Sequence, residues 1–213
     1  MIVDAYTLER KNMVLNQLKK RNIDDLKVLK AFSQVPRHLF VPLSQIDYAY
    51  YDRPLDIGCE QTISQPYMVA LMTQELDLEP GMKVLEVGTG SGYQSAILHF
   101  LGARVYTIER FEKLADSAKE VFKKIGYDIT VKVGDGTLGS PKEAPFERII
   151  VTAAAAKIPQ TLLSQLAVGG ILVMPVGSRL SQELIIAKKI SSEKIDQRRS
   201  CACIFVPLVG KGL

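Results

Sequence analysis

The sequence predicts an α/β fold, in which a mainly parallel central sheet carries helices on both faces and a helical extension precedes it. From about residue 79 onward, short apolar runs alternate with amphipathic segments, as in strands joined by right-handed helical crossovers. A glycine-rich turn at residues 88–92 directly follows the first of these apolar runs. The residues before the first apolar run show helical spacing of apolar side chains and no strand alternation. We therefore expect one compact domain made of an extension, residues 1–78, and a core, residues 79–213.

Length and charge are those of an ordinary globular protein. The 213 residues suffice for a substantial core, and 27 basic against 23 acidic residues give a net charge of only +4. The basic residues are scattered, which argues against a nucleic-acid-binding surface. No apolar stretch approaches the roughly 18 residues of a membrane span, and the N-terminus lacks the pattern of a secretion signal. We expect a soluble, cytoplasmic, monomeric protein that binds neither nucleic acid nor membrane.

Cys201 and Cys203, two of the three cysteines, are predicted to be structural. An odd number argues against a disulfide framework. Cys201 and Cys203 lie two residues apart in an apolar run, so they would share one face of a strand, and no histidine is near them. We therefore expect small core residues at these positions and no metal site.

Two helices are expected in the extension, followed by an irregular segment and a third helix. The first runs from Thr7 to about Arg21, and the second opens at Asp24 and Asp25 and ends at Pro36. Residues 36–66 are too rich in apolar and aromatic side chains for disorder, and their length predicts an ordered binding segment. The third helix spans Tyr67 to Leu76. The predicted buried faces of the first two helices are Leu8, Val14, Leu15 and Leu18, and Leu26, Leu29, Ala31 and Phe32.

Strands and helices then alternate through the core. Crossover helices are expected up to about Leu101, from Phe111 to Ile125, and from Ile158 to Leu166. The last two apolar runs have no helix between them and are predicted to form an antiparallel pair at the sheet edge. The predicted strands are Lys83–Val87, Val105–Glu109, Ile129–Val133, Phe146–Val151, Ile171–Pro175, Glu183–Lys188 and Cys201–Val206.

The glycine-rich turn and three acidic residues at strand ends predict a nucleoside-cofactor site. Glu109 ends the second strand, where a carboxylate can accept hydrogen bonds from ribose hydroxyls. The dinucleotide fingerprint would place its third glycine at position 93, which is Tyr here. The pattern E-x-G-x-G-x-G instead resembles motif I of the S-adenosyl-L-methionine (AdoMet) methyltransferases, which implies their Rossmann-like fold. The predicted cofactor contacts are Glu86, Gly88, Thr89, Gly90, Gly92, Tyr93, Gln94, Glu109, Arg110, Asp135 and Gly136.

The acceptor of the methyl group is predicted to be a carboxylate. The strand at Val151 is followed by Thr152 and a run of alanines, without the amide or carboxylate that binds an exocyclic amine in amino-methylating enzymes. Neither histidine, His38 or His99, has a plausible partner as a general base. A carboxylate needs no base because it is already ionised at neutral pH, so hydrogen-bond donors suffice to aim it. The segment 61–64, Gln-Thr-Ile-Ser, can supply these donors.

Ser64 has two compatible interpretations from its position. It precedes Pro66 and an amphipathic helix, so it could cap that helix. It could also hold an acceptor anion, because a helix N-terminus attracts negative charge.

Several segments resemble the protein-L-isoaspartate (D-aspartate) O-methyltransferase family. They are residues 35–42, VPRHLFVP; 61–67, QTISQPY; 84–94, VLEVGTGSGYQ; 134–136, GDG; 149–155, IIVTAAA; and 205–208, FVPL. The resemblance implies transfer of the methyl group of AdoMet to L-isoaspartyl residues of damaged proteins and peptides, with D-aspartyl residues left open, and S-adenosyl-L-homocysteine as product. It assigns Ser64 as the active-site residue. It places Gln61, Thr62, Ile63, Val206, Pro207 and Leu208 at the peptide.

Two departures from the family pattern concern the predicted substrate site. Glu60 stands where the family usually has a glycine, and Ile204 stands where many bacterial members have an arginine. Two other functions stay open on the residues alone. One is an AdoMet enzyme acting on RNA or a small molecule, and the other is a binding module that keeps the fold without turnover.

Overall fold

The computed structural model describes residues 5–213 and shows a seven-stranded sheet preceded by a helical extension. The extension begins with α1 (Thr7–Met13), which continues as a π-helical turn and a 3-10 turn to Arg21. Helix α2 (Leu26–Gln34) is capped by the Asp25 carboxylate, which accepts hydrogen bonds from the backbone N–H groups of Lys27 and Val28. Two 3-10 turns, a two-stranded hairpin of β1 (Leu55–Gly58) and β2 (Gln61–Ile63), and α3 (Pro66–Glu75) complete it.

The predicted mainly parallel sheet is confirmed. Its strand order is β5-β4-β3-β6-β7-β8-β9, and the last two strands are antiparallel. Because the order reverses direction between β3 and β6, the carboxyl ends of β3, β4 and β6 border a crevice. The strands are β3 (Lys83–Val87), β4 (Arg104–Glu109), β5 (Thr130–Val133), β6 (Phe146–Val151), β7 (Leu166–Gly177), β8 (Gln182–Lys189) and β9 (Ile195–Cys203); the helices are α4 (Tyr93–Phe100), α5 (Glu112–Ile125) and α6 (Gln160–Gln165).

One hydrophobic cluster joins the extension to the sheet. Phe32 of α2 meets the ring of Tyr93 edge-on, with 5.8 Å between ring centroids, and Phe40 packs against the same ring at 5.5 Å. Met13, Phe32 and Val84 belong to this cluster and are fully buried. Among residues 5–213, no helix is long and apolar enough to cross a membrane.

Three predicted core positions in the extension are wrong. Leu8, Leu15 and Leu26 are exposed, whereas Val14, Leu18, Leu29 and Phe32 are buried as expected. Leu8 and Leu15 are seven residues apart and share one face of the first helix, and Val14 and Leu18 share another. Only the second face packs on the protein, so apolar spacing alone could not distinguish the two.

The hairpin and the last strand also differ from expectation. The strands β1 and β2 are too short, at four and three residues, to show alternation. At their turn, Cys59 and Glu60 both have positive φ, at 54° and 56°, so the backbone keeps a left-handed conformation where the family usually has a glycine. Strand β9 starts at Ile195, earlier than predicted, because its first half is a charged edge strand. Cys201 and Cys203 lie on it, half-buried, with free thiols.

Candidate active site

The carboxyl ends of the central strands, the hairpin and the C-terminal segment line one pocket. All predicted substrate residues and most predicted cofactor residues line it, although they come from five separate parts of the chain. The predicted residues on its wall are Gln61, Thr62, Ile63, Ser64, Gly88, Thr89, Gly90, Tyr93, Gln94, Glu109, Arg110, Gly136, Val206, Pro207 and Leu208.

The glycines of the turn are needed for different reasons. Gly88, Gly90 and Gly92 have φ values of 96°, 52° and 88°, in the region that favours glycine. A Cβ on Gly88 would collide with the hydroxyl of Thr152, which donates a hydrogen bond to the Gly88 carbonyl at 2.7 Å. A Cβ on Gly92 would lie 2.7 Å from the ring of Phe122. Gly92 is not on the pocket wall, and its absent side chain lets the turn before α4 pack closely on α5.

Replacing Gly92 by alanine should lower the free energy of unfolding by about 2–4 kcal/mol, because left-handed strain and overpacking add. Gly126→Ala is the matched control: its φ is 73°, but a Cβ there would meet nothing within 4 Å. The control should lose only about 1–2 kcal/mol from backbone strain. Urea denaturation of both variants measures the difference. Equal losses would show that the Phe122 contact does not constrain Gly92.

Glu109 connects the turn to the next helix and faces the pocket. Its Oε2 accepts a hydrogen bond from the backbone N–H of Gly90 at 2.8 Å, and its Oε1 accepts one from Phe111 at 3.0 Å. The residue is only 5% exposed. Each carboxylate oxygen has a second lone pair, so the fixed carboxylate can still accept hydrogen bonds from two ribose hydroxyls. This arrangement fits the nucleoside part of AdoMet.

Glu86 is another predicted cofactor contact that is not on the pocket wall. It is fully buried, and the Ser95 hydroxyl donates a hydrogen bond to its Oε2, while its Oε1 has no hydrogen-bond partner. Burial raises the pKa of Glu86 to about 8, and the polar hydroxyls of Ser95 and Thr107 oppose the shift only in part. At neutral pH this carboxyl is therefore mainly protonated and supports the turn as a neutral group.

A raised pKa in the folded state has a defined effect on stability. Glu86 ionises near its ordinary pKa of 4.5 when unfolded but only near 8 when folded. The unfolded state therefore binds fewer protons between these values, and the contribution of Glu86 to stability is lost as pH rises from about 5 to 8. Glu86→Gln should remove this slope. The free energy of unfolding of wild type, minus that of the variant, should fall as pH rises from about 5 to 8. A difference that stays constant with pH would contradict the raised pKa of Glu86.

Asp135 also lies outside the pocket wall, although its neighbour Gly136 is on it. Its Oδ1 accepts hydrogen bonds from the N–H of Thr137 at 2.9 Å and from the Thr137 hydroxyl at 2.5 Å. Its Oδ2 accepts one from the backbone N–H of Lys211 at 2.7 Å. Burial alone would raise the pKa of Asp135, but these hydrogen bonds lower it overall. Asp135 thus holds the C-terminal segment in place.

Ser64 lines the pocket, and its hydroxyl is not used by the helix that follows. Helix α3 is capped at Gln65 without a side-chain hydrogen bond, so Ser64 does not act as the cap. Within residues 5–213 no group forms a hydrogen bond with its hydroxyl, whereas its carbonyl accepts one from Arg37 at 2.8 Å. The residue is half-buried. Its hydroxyl is therefore available to an incoming acceptor.

The C-terminal segment forms the opposite wall of the pocket. Ala154 pairs with it through two backbone hydrogen bonds, to the Val206 carbonyl at 2.8 Å and from the Leu208 N–H at 2.7 Å. The side-chain amide of Gln182 donates a hydrogen bond to the Phe205 carbonyl at 3.1 Å and accepts one from the Phe205 N–H at 2.7 Å. Ile204, the second departure from the family pattern, points into solvent with 83% of its surface exposed.

Some residues of the site were missed by the sequence interpretation. Met72, Thr152 and Val209 line the pocket. Arg37 is not on the pocket wall but donates a hydrogen bond to the Ser64 carbonyl. Only Thr152 could have been found from the sequence, because it directly follows a strand of the parallel sheet.

The two histidines are not part of the site. The Nδ1 of His38 lies 2.8 Å from the Tyr50 hydroxyl, and neither His38 nor His99 is on the pocket wall. In the described part of the chain, no group of His, Cys, Asp and Glu could hold a metal ion.

Comparison with known proteins gives one consistent family. The profile of the protein-L-isoaspartate(D-aspartate) O-methyltransferase family matches residues 9–213. The protein-L-isoaspartate O-methyltransferase 1 of Syntrophobacter fumaroxidans is 53% identical over 203 residues, which cover 95% of this chain and 94% of that protein. The protein-L-isoaspartate O-methyltransferase of Petrotoga mobilis is 52% identical over 205 residues, covering 95% and 96%.

A solved structure gives the same result at the level of the fold. A Plasmodium falciparum protein described as a protein-L-isoaspartate O-methyltransferase, in complex with S-adenosyl-L-homocysteine, superimposes with a TM-score of 0.82. It is 27% identical, and the match covers 94% of this chain and 98% of that one. The full-length matches and the assembled pocket agree: the chain belongs to the protein-L-isoaspartate (D-aspartate) O-methyltransferase family.

Proposed function

We propose that this protein transfers the methyl group of AdoMet to the free α-carboxylate of L-isoaspartyl residues in damaged proteins and peptides. It acts as a cytoplasmic monomer and has no nucleic-acid or membrane partner. The observation that carries the proposal is the single pocket shared by the segment 61–64, the glycine turn and Glu109. Carboxyl methylation needs a site for the nucleoside cofactor and, in the same pocket, a hydrogen-bond donor that orients the acceptor carboxylate.

The cofactor half of the site would bind AdoMet and orient it. Bound AdoMet supplies a methyl group carried on a positively charged sulfonium. Glu109 is fixed by its two backbone hydrogen bonds and accepts from the ribose hydroxyls. Gly88, Gly90 and Gly136 form part of the pocket wall, and the absent side chains of Gly88 and Gly136 make room for Thr152 and Val87, which also line the pocket. Arg110, Thr89, Tyr93 and Gln94 complete this wall.

The substrate half aims the acceptor and excludes water. Ser64 donates its free hydroxyl to the acceptor carboxylate, and Gln61, Thr62 and Ile63 lie beside it. Val206, Pro207 and Leu208 close the other side. Since the acceptor is ionised at neutral pH, no group of the protein has to remove a proton, and positioning supplies most of the acceleration. A dry pocket helps further, because opposite charges are neutralised as the transition state forms.

Selectivity follows from the shape of the damaged residue. An isoaspartyl linkage runs through the side-chain carbonyl, so its α-carboxylate projects from the main chain, whereas an ordinary aspartyl residue projects a β-carboxylate from a longer arm. Once esterified, the α-carboxyl carbon carries methoxide as a leaving group, so the nitrogen of the following backbone amide can attack it, which closes a succinimide and releases methanol. Hydrolysis of the succinimide returns part of the material to ordinary aspartate, so the protein is needed only for the methylation.

The proposal is tested by following one isoaspartyl peptide through the whole sequence of products. With wild-type protein and AdoMet, chromatography and mass spectrometry should show the methyl ester, then the succinimide, then a growing share of aspartyl peptide. Omitting AdoMet should stop every step. AdoMet consumption on RNA or small carboxylic acids, without any change in the peptide, would favour the competing acceptors. Cofactor binding without any turnover would favour a binding module.

A further inference from the structure

Arg37 is a buried cation without an anionic partner, next to the proposed acceptor site. Its side chain is fully buried. Its Nε donates to the Ala49 carbonyl at 2.7 Å, and its Nη2 donates to the Ser64 carbonyl at 2.8 Å. Its Nη1 has no hydrogen-bond partner. Within residues 5–213, no carboxylate oxygen lies within 4 Å of this guanidinium.

The nearest carboxylate, Asp52, acts on this charge only from beyond salt-bridge distance and compensates it only in part. Asp52 is already engaged, because its Oδ1 accepts a hydrogen bond from the N–H of Tyr67 at 3.0 Å and its Oδ2 pairs with Arg21. The Tyr93 ring lies under the Arg37 guanidinium, with 4.9 Å to the ring centroid, and offers only a weak cation–π contact. A buried charge left this way is costly, so it calls for a functional explanation.

The position of Arg37 next to Ser64 supplies a functional explanation for its buried charge. Its Nη2 bonds to Ser64, and the carbonyl oxygen and hydroxyl of one serine are at most about 4 Å apart, so the charge lies within roughly 7 Å of the Ser64 hydroxyl. In a closed, poorly solvated pocket, a charge at that distance is only partly screened. An anion bound at Ser64 would provide the missing counter-charge.

We propose that Arg37 is a specificity-determining and positioning residue: its buried charge favours an anionic acceptor at Ser64, and its hydrogen bond to the Ser64 carbonyl fixes that residue. The inference rests on the proposed function and adds the source of its preference for a carboxylate. Arg37 does not touch the acceptor itself, since it is not on the pocket wall.

The test compares two peptides that differ only in charge at the acceptor. One carries the isoaspartyl α-carboxylate, and the other carries the α-carboxamide at the same position. Their dissociation constants are measured with S-adenosyl-L-homocysteine present, for wild type, Arg37→Met and Arg37→Lys. We expect Arg37→Met to lower the carboxylate preference on the order of tenfold, and Arg37→Lys to keep most of it. A purely structural role would weaken both peptides equally and leave the ratio unchanged, which would overturn the inference.

Two further measurements keep the test decisive. Binding of S-adenosyl-L-homocysteine shows whether each variant is folded. If Arg37→Met does not fold, Ser64→Ala serves instead, because it removes the hydroxyl and keeps the buried charge. That variant should still prefer the carboxylate peptide, and equal affinity for the two peptides would refute the role of Arg37. Failure of wild type to methylate the isoaspartyl peptide would refute the proposed function, whereas normal methylation with an unchanged ratio refutes this inference alone.

Discussion

Replacing Ser64 by alanine is expected to lower kcat/KM for an isoaspartyl peptide by about 10- to 100-fold. The substitution removes a hydrogen bond to a charged acceptor, which contributes about 1.5–3 kcal/mol. It leaves the fold intact, because the Ser64 hydroxyl is not used as a cap and forms no hydrogen bond within residues 5–213. Steady-state methylation at varied peptide concentration measures the change.

The exposed Ser44 offers the matched control for this experiment. Ser44→Ala should methylate the peptide at the wild-type rate, and both variants should bind S-adenosyl-L-homocysteine as wild type does. An unchanged kcat/KM in Ser64→Ala would contradict the assigned role. A loss of cofactor affinity in that variant would place Ser64 in the cofactor half of the site instead.

Replacing Glu109 by glutamine is expected to weaken binding of S-adenosyl-L-homocysteine on the order of 10²-fold. The carboxylate accepts from Gly90 and Phe111 on its two oxygens, so an amide NH₂ must face one of these N–H groups and leave it unsatisfied. The same change removes a charged acceptor for the ribose hydroxyls. Isothermal titration calorimetry measures the affinity directly.

Glu112→Gln is the matched control, since Glu112 lies exposed in the first turn of α5, three residues further on. It should bind S-adenosyl-L-homocysteine with wild-type affinity. Wild-type affinity in Glu109→Gln would show that the Glu109 carboxylate does not hold the ribose.

The cofactor half of the pocket was predictable because parallel strands bring their carboxyl ends together. The glycine turn after β3 and Glu109 at the end of β4 are distant in sequence but neighbours by topology. The same argument predicts Glu86 and Asp135 as cofactor contacts, and the structure places both next to the pocket wall but not on it. Their environments depend on Ser95 and Lys211, and nothing in the local sequence indicates those contacts.

The substrate half depended more on resemblance than on pattern. The hairpin of β1 and β2 is too short for alternation, yet it carries Thr62 and Ile63 to the pocket. Arg37 could not be predicted as buried, because arginine is rarely buried and its partners are backbone carbonyls of Ala49 and Ser64. Long-range contacts of this kind appear only when the chain is folded.

The most direct measurement of the central claim uses two peptides that are identical except for one linkage, Asp or isoAsp. Each is incubated with wild-type protein and AdoMet labelled in its methyl group, and base-labile label in the peptide is counted. The account predicts label in the isoaspartyl peptide only, and its loss in Ser64→Ala. Equal labelling of both peptides, or none in either, would contradict it.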